Sequence, residues 1–393
     1  MKQKHIASRM SGISPFYVMD LLAQAKQLET QGHDVIHLEV GEPDFPTPES
    51  INVAAIQAIQ AGKTKYTGAT GLPELKVKIS EYYKSRLGAS VAAKNIIITP
   101  GASGALQLAL SVLVNSKQSV LMADPGYPCN RHFVRLLDAN ALSIPVSVES
   151  DYQLTHELID ENWQSDTAAV LIASPSNPTG TLINAVEMQK IINVVEKKKG
   201  FLLVDEIYQG LVYDQADFSA ASLSPHIFVI NSFSKFFSMT GWRLGWLVVP
   251  DEFIEPVDRL AQNLFLAPPT ISQYAALSAF DNDTLKILDA QREELNKRRE
   301  FLLEGLKRLG FDISVKPGGA FYIYADVTKF TADSFKFCND LLHQSFVAIT
   351  PGIDFGEFKA KNYVRFAYTQ NIEKLQMALD RIGDFLSNYE HKP

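Results

Sequence analysis

Ile227-Phe-Val-Ile230-Asn-Ser-Phe-Ser-Lys235-Phe-Phe-Ser-Met-Thr-Gly-Trp-Arg243-Leu-Gly-Trp-Leu-Val-Val249 reads as two buried strands joined by a charged connection. The runs Ile227 to Ile230 and Leu244 to Val249 are apolar and rich in β-branched residues, which is the pattern of buried strands. Lys235 lies between them, with Phe233, Phe236 and Phe237 beside it. An ammonium among aromatic rings is costly unless it loses its proton or is covalently modified, and a neutral amine is a nucleophile able to form an imine with an aldehyde. Arg243 adds a fixed cation that would depress the lysine pKa further and could hold a phosphate with its planar fork. The plain alternative is that Lys235 reaches the surface along its aliphatic stem and Arg243 forms an ordinary ion pair.

Outward from this segment the same apolar texture recurs. Short runs at Ile96 to Thr99, Ser119 to Ala123, Ala168 to Ala173 and Phe201 to Val204 are interleaved with helical patterns near Pro48 to Ala61, Leu72 to Leu87, Gly104 to Leu113, Cys129 to Leu137 and Ala185 to Lys198. Strands alternating with helices predict an α/β fold with a mostly parallel sheet flanked by helices on both faces. Earlier in the chain, Ser14-Pro15 opens a helix stopped by Gly32, and Val35 to Val40 forms a short strand that runs into the proline-bearing loop Gly41 to Pro46. After Pro269 a long charged helix is expected over Ser272 to Leu309. Strands at Ala320 to Ala325 and Val364 to Ala367, with helices near Ser334 to Gln344 and Ile372 to Ser387, complete a smaller α+β domain. The expected division is residues 1–44 as an N-terminal arm and part of the small domain, 45–285 as the large domain, and 286–393 as the small C-terminal domain.

At 393 residues, 46% hydrophobic and 21% charged with net charge -7, the chain has an ordinary globular composition and no block of like charge suited to nucleic acid. Cys129 and Cys338 form neither a disulfide framework nor a metal knuckle, which fits a reducing compartment. The eight histidines show no metal-ligand spacing, so no metal is expected. Met1 to Met10 carries Lys2, Lys4 and Arg9 without a following apolar run, and no stretch of about 18 apolar residues occurs. These features predict a cytoplasmic protein that does not cross a membrane.

In open α/β sheets ligands bind beyond the carboxyl ends of the strands, so the segments that follow each run matter most. Pro100-Gly-Ala102-Ser103-Gly-Ala105 follows Thr99; its small residues allow close backbone approach and the helix start offers free amides, which suits a phosphate. A capped helix start explains the same residues, and Gly-x-Ser-x-Ala is also close to the nucleophile elbow of a hydrolase, with Ala105 where glycine is usual. Asp124-Pro-Gly-Tyr127 places a ring at a strand end, able to stack on a planar ligand or simply to pack. Ser174-Pro-Ser-Asn177-Pro-Thr-Gly180 holds one amide in a stiff loop. Asp205 leaves a buried strand directly, ahead of Tyr208, and such a carboxylate needs a cation or hydrogen-bond donors, a structural salt bridge being the simplest.

Five successive strand ends with these groups, together with Gly41-Glu-Pro-Asp-Phe45, Lys65-Tyr66-Thr67, Gly71-Leu-Pro-Glu-Leu75 and Tyr363-Val-Arg365-Phe366, make the chain closely resemble the class I and II aminotransferases over almost its full length. The resemblance implies the aspartate aminotransferase-like fold with a seven-stranded sheet, and pyridoxal 5'-phosphate as cofactor. It implies Lys235 as Schiff-base lysine and proton carrier, and Asp205 as partner of the pyridine nitrogen, a carboxylate that keeps the ring an electron sink. Asn177 and Tyr208 would donate to the phenolate oxygen, Tyr127 would stack on the ring, and Ala102, Ser103, Ser232 and Arg243 would form the phosphate cup. Tyr66 would reach the phosphate of the neighbouring subunit in a homodimer. Arg365 would hold the α-carboxylate of an amino acid or 2-oxo acid, with the Gly41 backbone nearby.

The expected reaction is transamination. A carbon-sulfur β-lyase of the same fold is the alternative, since it shares the lysine and aspartate; a serine hydrolase using Ser103 is a remote one that leaves Lys235, Asn177 and Asp205 without roles. In the family it resembles, dicarboxylate-specific relatives commonly add an arginine from the partner subunit near Asn263 to Thr270, or a lysine at the position of Ser103. This sequence has no basic residue in that segment, so a neutral or aromatic substrate is expected, with Phe16, Phe45 or Tyr127 near it.

Overall fold

The computed structural model describes residues 6–389; Lys2 and Lys4 therefore lie outside the described residues. Helix α1 (Tyr17–Thr30), strand β1 (Ile36–His37), α2 (Glu49–Gln60) and α3 (Pro73–Arg86) lead into the alternating region. There follow β2 (Ile96–Thr99), α4 (Gly101–Leu113), β3 (Ser119–Asp124), α5 (Pro128–Leu136), β4 (Asn140–Pro145), α6 (His156–Asn162), β5 (Thr167–Ala173), α7 (Ala185–Lys197), β6 (Phe201–Asp205), β7 (Phe228–Ser232) and β8 (Gly245–Val248). Helices α8 (Ile254–Leu264), α9 (Thr270–Leu277) and α10 (Asn282–Arg308) precede β9 (Tyr322–Asp326), α11 (Ser334–Ser345), β10 (Val347–Ala348), β11 (Thr350–Pro351), β12 (Tyr363–Ala367) and α12 (Ile372–Asn388).

The large sheet has seven strands in the order β2-β8-β7-β6-β5-β3-β4. Strand β8 runs antiparallel to both neighbours, and the pairs from β4 to β7 are parallel. The period of two along each strand divides the core between the two faces. Ile96, Ile98, Leu121, Val170, Leu202, Val204 and Trp246 pack on one side, and Ile97, Val120, Leu171, Leu203, Ile230 and Leu247 on the other. Both faces are apolar because helices cover both, which is the reason these strands read as unbroken apolar runs. A second sheet, β11-β12-β9, is antiparallel, and β1 pairs with β10 from the far end of the chain.

Several elements differ from the sequence reading. β4 was not expected: it is an edge strand whose residues are mostly exposed or half-buried, so it lacks the apolar signature of its neighbours. The helix expected over Ser272 to Leu309 is two helices, broken by a 3-10 turn at Ser278–Phe280 and an extended Asp281. Asp281, Asn282 and Asp283 favour caps over helix interiors, and the second helix starts there. α4 begins at Gly101, three residues before the expected start, and only Ile36–His37 of the Val35 to Val40 run is paired. Helices α6 and α8 also lay outside the sequence reading. Among the described residues no helix is long and apolar enough to cross a membrane.

Candidate active site

The ends of β2, β5, β6 and β7, the loop after β3 and a corner of the second sheet surround a cavity of about 250 Å³. Its first wall is the junction of α4 with β8. Gly101 opens α4 at φ +68°, in the left-handed region that favours glycine. A Cβ there would come within 2.9 Å of Arg243 Nη2, and one on Gly245 would lie 2.7 Å from the Gly101 carbonyl carbon. Glycine at both places lets helix start, strand and guanidinium meet. Ala102, Ser103 and Arg243 line the cavity at this junction. Unpaired first-turn amides of a 13-residue helix, together with a guanidinium whose Nη1 donates to the Thr240 carbonyl at 3.0 Å, make a site for a phosphate dianion. Ser232 stands behind this wall, its hydroxyl engaged with Ser234 Oγ at 2.9 Å and the Leu244 carbonyl at 3.1 Å; Ser234 lines the cavity instead.

Asp205 is the last residue of β6 and is buried. Its Oδ1 accepts a hydrogen bond from the Ile207 amide at 3.0 Å. Burial pushes its carboxyl up to about 6, against smaller opposing effects of the Ile207 amide and Lys235. That direction marks a carboxylate short of a cation, and a protonated ring nitrogen is a cation of the right kind. Lys235 Nζ donates to the Gly41 carbonyl at 2.6 Å. Burial lowers its pKa to about 8; Glu42 opposes the shift, and Arg365 and Arg243 add to it. The aromatic rings near the amine are Tyr208 and Phe321, at 5.8 and 5.6 Å. Phe233 and Phe237 instead pack with Trp246 and Phe280 in the core, which corrects the neighbourhood inferred from the sequence.

Asn177 Oδ1 accepts from Arg365 Nη1 at 2.8 Å, so its amide nitrogen is free to donate into the cavity. Burial holds the Tyr208 phenol well above its ordinary pKa, which keeps it a neutral donor. Its hydroxyl lies 2.8 Å from that of Tyr322. Tyr127 faces the cavity after β3, with Phe16 edge-on to it at 6.4 Å.

Arg365, on β12, is buried with its guanidinium between two rings, 4.1 Å from Tyr322 and 4.8 Å from Phe355. Nη2 donates to the Glu39 carbonyl at 2.5 Å. Gly41 must be glycine, because a Cβ there would sit 2.0 Å from Tyr322 Oη. Tyr322 is a site residue that the sequence reading missed; it lies inside an apolar strand and reads as core. Phe16, the N-cap of α1, and Val18, Met19 and Leu22 on α1, with Leu106 and Ile207, give the cavity an apolar side. Phe45, expected near the substrate, is absent from the cavity lining and stacks on Arg298 at 4.7 Å. Tyr66 is 81% exposed and outside this cavity. No histidine is among the described residues lining the cavity, and a hydrolase built on Ser103 would leave Asp205, Asn177 and Arg365 without roles.

The model of the family "Aminotransferase class I and II" matches residues 33–382. Among curated relatives, the "(5-formylfuran-3-yl)methyl phosphate transaminase" of Methanocaldococcus jannaschii is 40% identical over 385 residues, covering 97% of this chain and all of that protein. The "Valine--pyruvate aminotransferase" of Mycobacterium tuberculosis is 39% identical, covering 96% of this chain and 97% of that one. A crystal structure from Methanococcus jannaschii, described as similar in its active site to kynurenine aminotransferases, superposes with a TM-score of 0.89 at 40% identity, covering 97% of this chain and all of that one.

Proposed function

Since the chain belongs to the class I and II aminotransferases, a family that uses pyridoxal phosphate, we propose that it binds this cofactor and moves an amino group between a neutral or aromatic α-amino acid and a 2-oxo acid. The observation that carries the reading is the convergence of Asp205, Lys235, Asn177, Tyr208, Arg243 and Arg365 on one cavity with an apolar side. The donors fit the cofactor. Ala102, Ser103 and Arg243 would hold its phosphate, Asp205 its ring nitrogen, Asn177 and Tyr208 its phenolate, and Tyr127 its face.

When bound, pyridoxal phosphate supplies an electron sink for charge that develops at the substrate α-carbon. The chain does the rest. Arg365 fixes the α-carboxylate with a fork already held in plane by Tyr322 and Phe355. Lys235 Nζ takes the proton from the α-carbon, and in the return half-reaction delivers one to the same position. A lysine lowered to about 8 releases its proton far more readily than an ordinary lysine, as a proton carrier requires. The Asp205 carboxylate would hold the ring-nitrogen proton in place once the cofactor is bound.

Three cations line the cavity, Lys235, Arg243 and Arg365, and each has a task in this scheme. Among the described residues of one chain no fourth lines the cavity, and the apolar α1 wall supports an apolar side chain. The reported relatives are named for transamination, none of them for elimination. Exposed Tyr66, with Ile56, Ile59 and Leu266 also exposed, supports a homodimer in which Tyr66 completes the neighbouring site. The division at residues 44 and 285 is kept in this reading, since β1 pairs with β10 and all seven strands of the large sheet fall within 45–285. Two free cysteines support a cytoplasmic setting. Amino donors from alanine to phenylalanine, and aspartate, with pyruvate and 2-oxoglutarate as acceptors, test the assignment: 2-oxo acid formation greatest with apolar donors is expected. Ammonia release without an acceptor, or preference for aspartate, would count against it.

A further inference from the structure

Helix α1 forms part of the apolar wall, yet little of its own sequence holds its first turn. Phe16, at the N-cap, has no side chain able to cap. The helix buries only Val18, Leu21 and Ala25, and Leu21 and Ala25 belong to a small cluster with Val35, Leu342 and Ala348, further along the helix than the cavity-facing Phe16, Val18 and Met19. The cap comes instead from the other end of the chain. Asp354, just after β11, accepts a hydrogen bond on Oδ1 from the Tyr17 amide at 2.9 Å, across 337 residues of sequence.

Asp354 is itself firmly placed. Its carbonyl accepts from Arg131 Nη2 at 2.8 Å, the next carbonyl, of Phe355, accepts from the Gly126 amide, and the Asp124 carboxylate takes the amides of Glu357 and Phe358. It is 2% exposed, and its Oδ2 has no hydrogen-bond partner among the described residues. A carboxylate buried at this cost, with one oxygen accepting from a helix start, holds that helix start in place. Its neighbour Phe355 is one of the two rings that clamp Arg365.

We propose that Asp354 is a positioning residue for side-chain recognition: it caps α1 in trans and so fixes the wall formed by Phe16, Val18 and Met19 relative to the carboxylate anchor Arg365. The claim rests on the aminotransferase reading with an apolar substrate. Helix caps supplied by aspartate are worth enough to hold or fray a first turn, and the fraying would fall on the residues that meet the substrate side chain.

The test uses the holoenzyme with phenylalanine, leucine and alanine as donors, and amide hydrogen exchange across residues 17–22. In Asp354→Ala, KM for phenylalanine and leucine should rise roughly 5- to 30-fold, with kcat and the alanine KM changed less than about twofold, and exchange at residues 17–22 should accelerate by about the same factor as the KM rise. Asp354→Asn keeps an acceptor oxygen and should restore most of the loss. Unchanged exchange in Asp354→Ala, or an equal KM rise for alanine and phenylalanine, would overturn the proposal. Wild-type enzyme that rejects phenylalanine and leucine would sink the substrate reading alone, because the exchange arm still decides the cap. If Asp354→Ala does not fold, Tyr17→Pro removes the donor at a position where proline suits a helix, and Tyr17→Ala controls for the ring contact with Phe335. Faster exchange in the proline variant than in the alanine one is the expected result; equal exchange would refute the cap.

Discussion

The side of the cavity proposed to hold the cofactor is supplied by successive strand ends of one sheet, whereas the side proposed to meet the substrate is assembled from segments as distant as Phe16 and Arg365. On the first side each group follows its own buried strand by a few residues: Ser103 after β2, Tyr127 after β3, Asn177 after β5, Asp205 on β6 and Lys235 after β7. On the second side, Arg365 is oriented by Glu39, Asn177, Tyr322 and Phe355, and α1 is held by Asp354. A rigid parallel sheet can place chemistry by local geometry alone. Recognition of the substrate depends on contacts that exist only once both ends of the chain have met.

If that contrast is right, damage on the cofactor side should lower turnover for every donor, and damage on the substrate side should act through KM. The largest effect is expected from Lys235→Ala, where loss of the proton carrier should cut kcat at least about 1,000-fold for all donors. Cofactor absorbance should persist, because the phosphate and ring-nitrogen partners remain. Single-turnover and steady-state rates with several amino acids check this, and normal turnover would refute the assignment. Arg365→Ala should come next, raising the amino acid KM roughly 30- to 1,000-fold as a buried charge pair is lost. A larger effect on kcat than on KM would break the division between the two sides.

Asp205 gives a sharper test, because its charge can be followed without substrate. Asp205→Asn should lower turnover roughly 10- to 150-fold, the worth of a charge-assisted hydrogen bond. Its folded pKa of about 6 lies above the ordinary aspartate value of 3.8, so between those values the folded, cofactor-free protein holds a proton that the unfolded chain has released. Stability from this group therefore falls as pH rises through that window, by up to about 3 kcal/mol. Glu206, Asp217 and Asp354, all raised by burial, titrate too, so the measurement is the difference between wild type and Asp205→Asn in denaturant midpoint from about pH 4 to about pH 7. Two parallel curves would show that Asp205 is not held as the structure places it. Lys235, lowered from 10.5 to about 8, contributes with the opposite slope at higher pH.

The same contrast explains what the sequence disclosed. Asp205, Asn177, Tyr127 and the Gly101 to Gly104 helix start announce themselves as polar or small residues directly after apolar runs, and the structure brings them to one cavity. Arg365 and Gly41 were found through family resemblance rather than local pattern. Tyr322 was not found, since Ala320 to Ala325 is an apolar strand in which a tyrosine looks like core. Asp354 sits in Gly-Ile-Asp-Phe-Gly with nothing nearby to say that its partner is residue 17. Even for Lys235 the sequence neighbours misled: Phe233 and Phe237 belong to the core, and the rings that surround the amine come from Tyr208 and Phe321. Periodicity and motif report on a residue's own element, and only packing reports on its partners.

The smallest expected effect tests the seam between the two sides. Tyr208 follows β6 of the large sheet, Tyr322 opens β9 of the small one, and their hydroxyls meet at 2.8 Å. Both phenols are raised by burial, so both are neutral at working pH and the contact is a neutral hydrogen bond. Tyr208→Phe should lower kcat roughly 2- to 12-fold, since it removes the proposed donor to the phenolate as well as the bond to Tyr322. Tyr322→Phe leaves the Tyr208 donor in place and should mainly disturb Arg365, whose guanidinium keeps the ring but loses a hydroxyl nearby. If the two sides work as one unit through this bond, the double variant should be less damaged than the product of the single effects, with a coupling of about 1 kcal/mol. Strict multiplicativity in kcat/KM would mean that the sheet and the corner act independently, and that the two sides are joined through α1 and Arg365 rather than through this pair.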